Sequence, residues 1–165
     1  MREFSKEGPR AEGAAVVWSG REDGPALVVI DPSGAARHEE LPATWDRLGD
    51  HFQVAWCRLP ASTRSLEDIE DVLETLAERN VSVNIVASGQ ACSAAIAIAP
   101  QFSDMVSTVL LVDPLADEGA TQLDDIEVHV IARSHDGATD RIDAPLPLGH
   151  PEVVAGLVST LATMT

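Results

Sequence analysis

Asn84-Ile85-Val86-Ala87-Ser88-Gly89-Gln90-Ala91-Cys92-Ser93-Ala94-Ala95 is the stretch on which the fold turns. Branched apolar residues run into Ala87, two turn-compatible residues follow, and small residues dominate from Ala91 onward. The pattern reads as a buried strand, a sharp turn and a small-residue helix. That order is the setting of the G-x-S-x-G bend, in which a serine is exposed at the tip between strand and helix. Here the five positions read Ala87-Ser88-Gly89-Gln90-Ala91, so glycine stands at the tip. Glycine accepts the dihedrals of such a bend more readily than any other residue. The backbone of the turn is therefore expected, without the oxygen that would attack a substrate.

Outward from this bend, strands and helices alternate. Residues 14–18 and 26–30 are apolar runs separated by turn residues, a hairpin signal. A short helix follows over residues 42–50 with Trp45 and Leu48 on one face, then a strand over residues 52–57. Residues 65–79 show the clearest helical period: Leu66, Ile69, Val72, Leu73 and Leu76 share a face opposite acidic residues. Ser65 is placed to cap that helix and Asn80 to stop it. A strand over 81–87 leads to the bend. The helix over 90–99 is apolar on nearly every side, which predicts a buried position, and Pro100 is expected to end it. Further strands are expected over 106–112 and 126–132. A C-terminal helix carries Val153, Val154, Leu157, Val158 and Leu161, with Pro151 near its start. Alternation of this kind implies parallel βαβ units. Strands as apolar as 108–112 imply a sheet covered on both faces. The expected architecture is α/β, a doubly wound and mostly parallel sheet with an antiparallel N-terminal edge strand. A single domain over residues 14–165 would follow a polar, disordered leader over residues 1–13.

Composition narrows the function classes. Among 165 residues, 27 Asp and Glu face 11 Lys and Arg, for a formal net charge of −16. Nucleic acids and anionic membranes need a basic surface, so neither is expected as a partner. No apolar run reaches the roughly 18 residues of a membrane span, and the leader has no signal-peptide core. The expectation is a cytoplasmic protein. Cys57 and Cys92 lie in apolar surroundings without metal-ligand spacing, so both read as buried free thiols, and neither a metal nor another cofactor is implied.

Several segments, taken in order, resemble the α/β-hydrolase family over roughly residues 14–164. Val28-Val29-Ile30-Asp31-Pro32-Ser33-Gly34 is similar to the family's strand ending in His-Gly, or to the His-Pro-x-Gly form of thioesterases in polyketide and nonribosomal-peptide assembly lines. Trp45, Leu48 and Phe52-Gln53-Val54 resemble the W…L…F-x-V run. Residues 58–65, Arg-Leu-Pro-Ala-Ser-Thr-Arg-Ser, resemble D-x-P-G-x-G-x-S. Each motif is altered where the family's chemistry sits: Asp31 replaces the histidine, Arg58 the aspartate, Ala61 and Thr63 glycines, and Gly89 the serine. The resemblance implies an acid after the seventh strand, matched by Asp136, and a histidine before the last helix, matched by His150. These lie only fourteen positions apart, too close for a full crossover and strand between them. Residues 114–125 likewise leave no room for a cap domain.

The candidate residues support more than one reading. Ser88 is one residue early for a nucleophile, and a strand turns such a neighbour to the other face; a hydroxyl bonded to nearby backbone is the alternative. Cys92, on the first helical turn, reads as a buried thiol before it reads as a nucleophile. The N–H of Gln90 and one from the Ser33-Gly34 loop match the family's oxyanion donors, so the space above Gly89 is a candidate ligand pocket. Asp136 and His150 form a candidate acid–base pair. The first reading is a non-hydrolytic homologue, a pseudoenzyme that binds a small molecule or acyl ligand or serves assembly. The alternative is an esterase, thioesterase or general-base lyase using Asp136 and His150. A homodimer through a sheet edge or helix face is a third.

Overall fold

The computed structural model describes residues 16–21, 24–31, 42–58, 64–114, 122–123, 125–132 and 148–163. The expected leader, Ser33, Gly34 and Asp136 lie outside these residues. Six strands form one sheet in the order β1-β3-β2-β4-β5-β6. They are β1 (Val16–Gly20), β2 (Ala26–Asp31), β3 (Gln53–Arg58), β4 (Val83–Ser88), β5 (Val106–Val112) and β6 (Glu127–Ala132). The helices are α1 (Asp46–Gly49), which continues a 3₁₀ turn over Ala43–Trp45, α2 (Arg64–Glu78), α3 (Ala91–Ile98) and α4 (Pro151–Thr163). All neighbouring strands run parallel except β1, which is antiparallel to β3. This is a mostly parallel α/β sheet with an antiparallel edge strand, as the alternation of apolar segments implied.

The apolar residues of the strands sort to two sides of the sheet. Val28, Ile30, Ile85, Ala87, Val109 and Leu111 pack with α2 and α3, through Ile69, Leu73, Leu76, Cys92, Ala95 and Ile98. Leu27, Val29, Val54, Trp56, Val86 and Leu110 pack with Trp45, Leu48, Leu148 and α4, through Val153, Leu157 and Leu161. Trp45 and Trp56 meet edge to face at 4.8 Å between centroids. A polar pair pins β4 to β5 within this packing: the Thr108 hydroxyl donates to Asn84 Oδ1.

The hairpin expected between residues 14–18 and 26–30 does not form. β3 lies between β1 and β2, so the two apolar runs are never neighbours. Every residue of β2 is buried, and such a strand needs a partner on both flanks. It takes β3 and β4. β1 is exposed from Trp18 onward and suits an edge. It leaves the sheet at Gly20, at φ 87°, where an added Cβ would meet the Phe52 carbonyl oxygen at 2.3 Å. Arg21 N–H then bonds Phe52 O at 2.9 Å.

Helix boundaries depart from expectation in smaller ways. α2 begins at Arg64, which places Ser65 inside the helix instead of ahead of it. Its end is as expected. Asn80 sits at φ 60°, and the N–H groups of Val81 and Asn80 close back on Leu76 O (3.3 Å) and Ala77 O (3.0 Å), the Schellman pattern. Helix α3 is not enclosed. Ala91, Cys92, Ala95 and Ile98 are buried, while Ser93 and Ala97 face outward, because an alanine methyl costs little to expose. Pro100 does not stop the chain abruptly. It falls in the first turn of a 3₁₀ segment, Ala99–Phe102, where its missing N–H is not needed.

Candidate functional site

The bend after β4 is where the sheet, α3 and the charge pattern of the backbone converge. Gly89 is buried at φ 56°, in the left-handed region that favours glycine. Its N–H bonds Val112 O at 2.9 Å, and its carbonyl accepts from Cys92 N–H at 3.1 Å. The turn is thus tied to the end of β5 on one side and to the first turn of α3 on the other. Among the described residues, the N–H groups of Gln90 and Ala91 meet no backbone acceptor. Gln90 is exposed and makes no side-chain cap bond. This end of α3 therefore presents free donors with no nucleophile side chain between them.

The two candidate nucleophiles nearest in sequence to the missing oxygen, Ser88 and Cys92, are directed elsewhere. Ser88 ends β4 in register with Val112, on the side of the sheet that carries Val86, Trp56 and α4. It is 1% exposed, and its hydroxyl makes no hydrogen bond among the described residues. Cys92 is a buried thiol outside any disulfide, directed beneath the bend, with Sγ 3.6 Å from Ala87 O and 3.7 Å from Val112 O. Cys57, the other cysteine, is also a buried thiol outside any disulfide.

His150 is half-buried at the start of α4 and works as a cap. Its Nδ1 accepts the Glu152 N–H at 3.1 Å, satisfying one of the helix's first donors. An Nδ1 that accepts carries no proton, so in the neutral ring the proton is on Nε2. A histidine oriented by a carboxylate through Nδ1–H has the opposite arrangement. The turn before His150 is fixed by Trp45, whose Nε1 donates to Leu148 O at 2.7 Å, and by Thr44, whose hydroxyl donates to Gly149 O at 2.7 Å. His129, on β6, meets Glu127 at 2.9 Å on the same strand face.

A residue that sequence reading treated only as a lost histidine has a definite place. Asp31 ends β2 with no exposure and accepts Trp56 Nε1–H at 2.8 Å. Ile30 pairs with Ala87, which brings the ends of β2 and β4 side by side. Asp31 and Ser88 thus form a buried polar strip at the carboxyl end of the sheet. The available signal was an acid closing five consecutive apolar residues, with a tryptophan on the strand that follows.

No protein-family profile and no curated protein matches the chain. Solved structures do. A marine microorganism esterase aligns at 22% identity and TM-score 0.43, covering 59% of this chain and 40% of its own. A hydrolase from Oleispira antarctica aligns at 18% identity and TM-score 0.43, covering 63% and 42%. A probable hydrolytic enzyme from Pseudomonas aeruginosa aligns at 18% and 0.40, covering 64% and 37%. The chain spans about two fifths of the length of these structures. The likeness says nothing about reaction.

Proposed function

We propose that this chain is a non-hydrolytic α/β-hydrolase-like protein that holds a small acyl or carboxylate ligand over the bend at Gly89. The observation that carries the proposal is the tip itself. It has the left-handed backbone of the bend and unpaired N–H donors, but no hydroxyl or thiol. Such donors bind an anion or a carbonyl oxygen irrespective of side chains, and without a nucleophile the bound group is held and not cleaved. The positions of Ser88 and Cys92 and the capping role of His150 support the same reading.

The test pairs binding with turnover. Butyrate titrated into ¹⁵N-labelled protein should shift the amide signals of Gly89, Gln90 and Ala91 saturably. p-Nitrophenyl butyrate and a butyryl thioester should be hydrolysed no faster than in buffer, and a fluorophosphonate probe should leave the chain unlabelled. Turnover that disappears in His150→Ala would overturn the proposal in favour of an acid–base enzyme.

A further inference from the structure

The amino end of the sheet, opposite the bend, holds a cavity of about 660 Å³. Pro25, Leu48 and Phe52 form one side of it, and Val158, Leu161 and Ala162 of α4 form the other, with Arg47, Asp50 and His51 completing the lining. β4 has six residues, so this cavity lies about 20 Å from Gly89 along the strand direction. Its volume is in the range of small-molecule sites, and so is its make-up, an apolar body with few polar groups.

Two observations separate it from an idle surface hollow. Among the described residues, the exposed large hydrophobics are Trp18 and Val158. Trp18 is covered by a cation, the Arg79 guanidinium 5.6 Å from its ring centroid. Val158, 48% exposed, has no such cover and lines the cavity. The second observation concerns charge. The chain has 27 acidic residues for 11 basic ones, yet Arg47 makes no ion pair among the described residues. An exposed guanidinium beside an apolar hollow is suited to a carboxylate head carrying an apolar chain, which it engages by two parallel N–H bonds. His51 and the carboxylate of Asp50 also line this side, so Arg47 is the one full positive charge among the described lining residues.

We propose that this cavity binds an amphiphilic carboxylate of the fatty-acid type, with the chain against Val158, Leu48 and Phe52 and the head on Arg47. This site is independent of the proposed function at the bend. The test is a ¹H–¹⁵N titration of the whole chain with decanoate below its micelle concentration, alongside 1-decanol and decyltrimethylammonium. Decanoate should give saturable shifts centred on residues 47–52 and 158–162, with residues 88–92 unmoved. Arg47→Gln, which keeps a neutral N–H donor but loses the charge and one of the two bonds, should weaken decanoate about tenfold, and leave 1-decanol unchanged. Val158→Trp, which fills the hollow, should weaken both at least tenfold. Should that variant not fold, the wild-type shift map decides alone. Absence of saturable shifts, shifts centred on residues 88–92, or a cation that binds as tightly as decanoate would each overturn the proposal.

Discussion

Gly89 and Asn80 share a positive φ, at 56° and 60°, for different ends. Asn80 terminates a helix, where a short polar side chain tolerates the left-handed region. Gly89 starts one. Gly89→Ala should therefore destabilise the fold by about 1–2 kcal/mol in urea titrations, the cost of a left-handed β-carbon, whereas Asn80→Gly should be neutral or slightly stabilising. Trp56→Phe tests the buried strip at the strand ends. It removes the indole donor to Asp31 and should cost about 2 kcal/mol by chemical denaturation, since a buried acceptor loses a partner. Gly89 and Asn80 were legible in sequence because their conformational needs are local. Asp31 was not. Its meaning depends on Trp56, which lies on another strand, and no local pattern encodes that pairing.

At the scale of elements, α4 shows how close packing overrides propensity. A glycine inside a helix normally costs about 1 kcal/mol relative to alanine. Yet a Cβ at Gly156 would stand 2.4 Å from the Ile131 carbonyl oxygen of β6. Gly156→Ala should thus destabilise by about 2 kcal/mol instead of stabilising, because the helix must lift from the strand; thermal unfolding followed by circular dichroism reads the sign directly. The start of the same helix offers a second test. His150→Asn can keep a cap and should hold stability, while His150→Ala should lose about 1 kcal/mol. Five of the six strands and the main helices could be read from period and turn residues within a residue or two at each end, and the sixth, β1, is described only from Val16. Strand order was not fully legible. Two apolar runs joined by a turn look like a hairpin whether they pair with each other or admit a third strand between them, and the choice lies in β3, whose register with both is set by long-range contacts.

For the whole molecule, the governing quantity is charge. A net charge of −16 over 165 residues repels itself in the compact state. Raising NaCl from about 0.02 M to 0.5 M shortens the screening length several-fold and should raise the melting temperature by a few degrees in scanning calorimetry; an unchanged or lower value would mean that ion pairs outweigh the repulsion. No helix is long and apolar enough to cross a membrane among the described residues. The architecture of the candidate site was legible because a strand–bend–helix has a strong local signature. Its chemistry was less so, since the direction of Ser88, the thiol of Cys92 and the imidazole of His150 depends on packing from distant segments. The insertion of β3 beside β1 has one more result. Val16 meets Cys57, so during synthesis the first strand leaves the ribosome well before the chain that completes its ladder. Its amides should be the last of the sheet to gain protection in pulse-labelled refolding and among the first to exchange in the native protein, a vulnerable seam at which a chaperone or protease would begin.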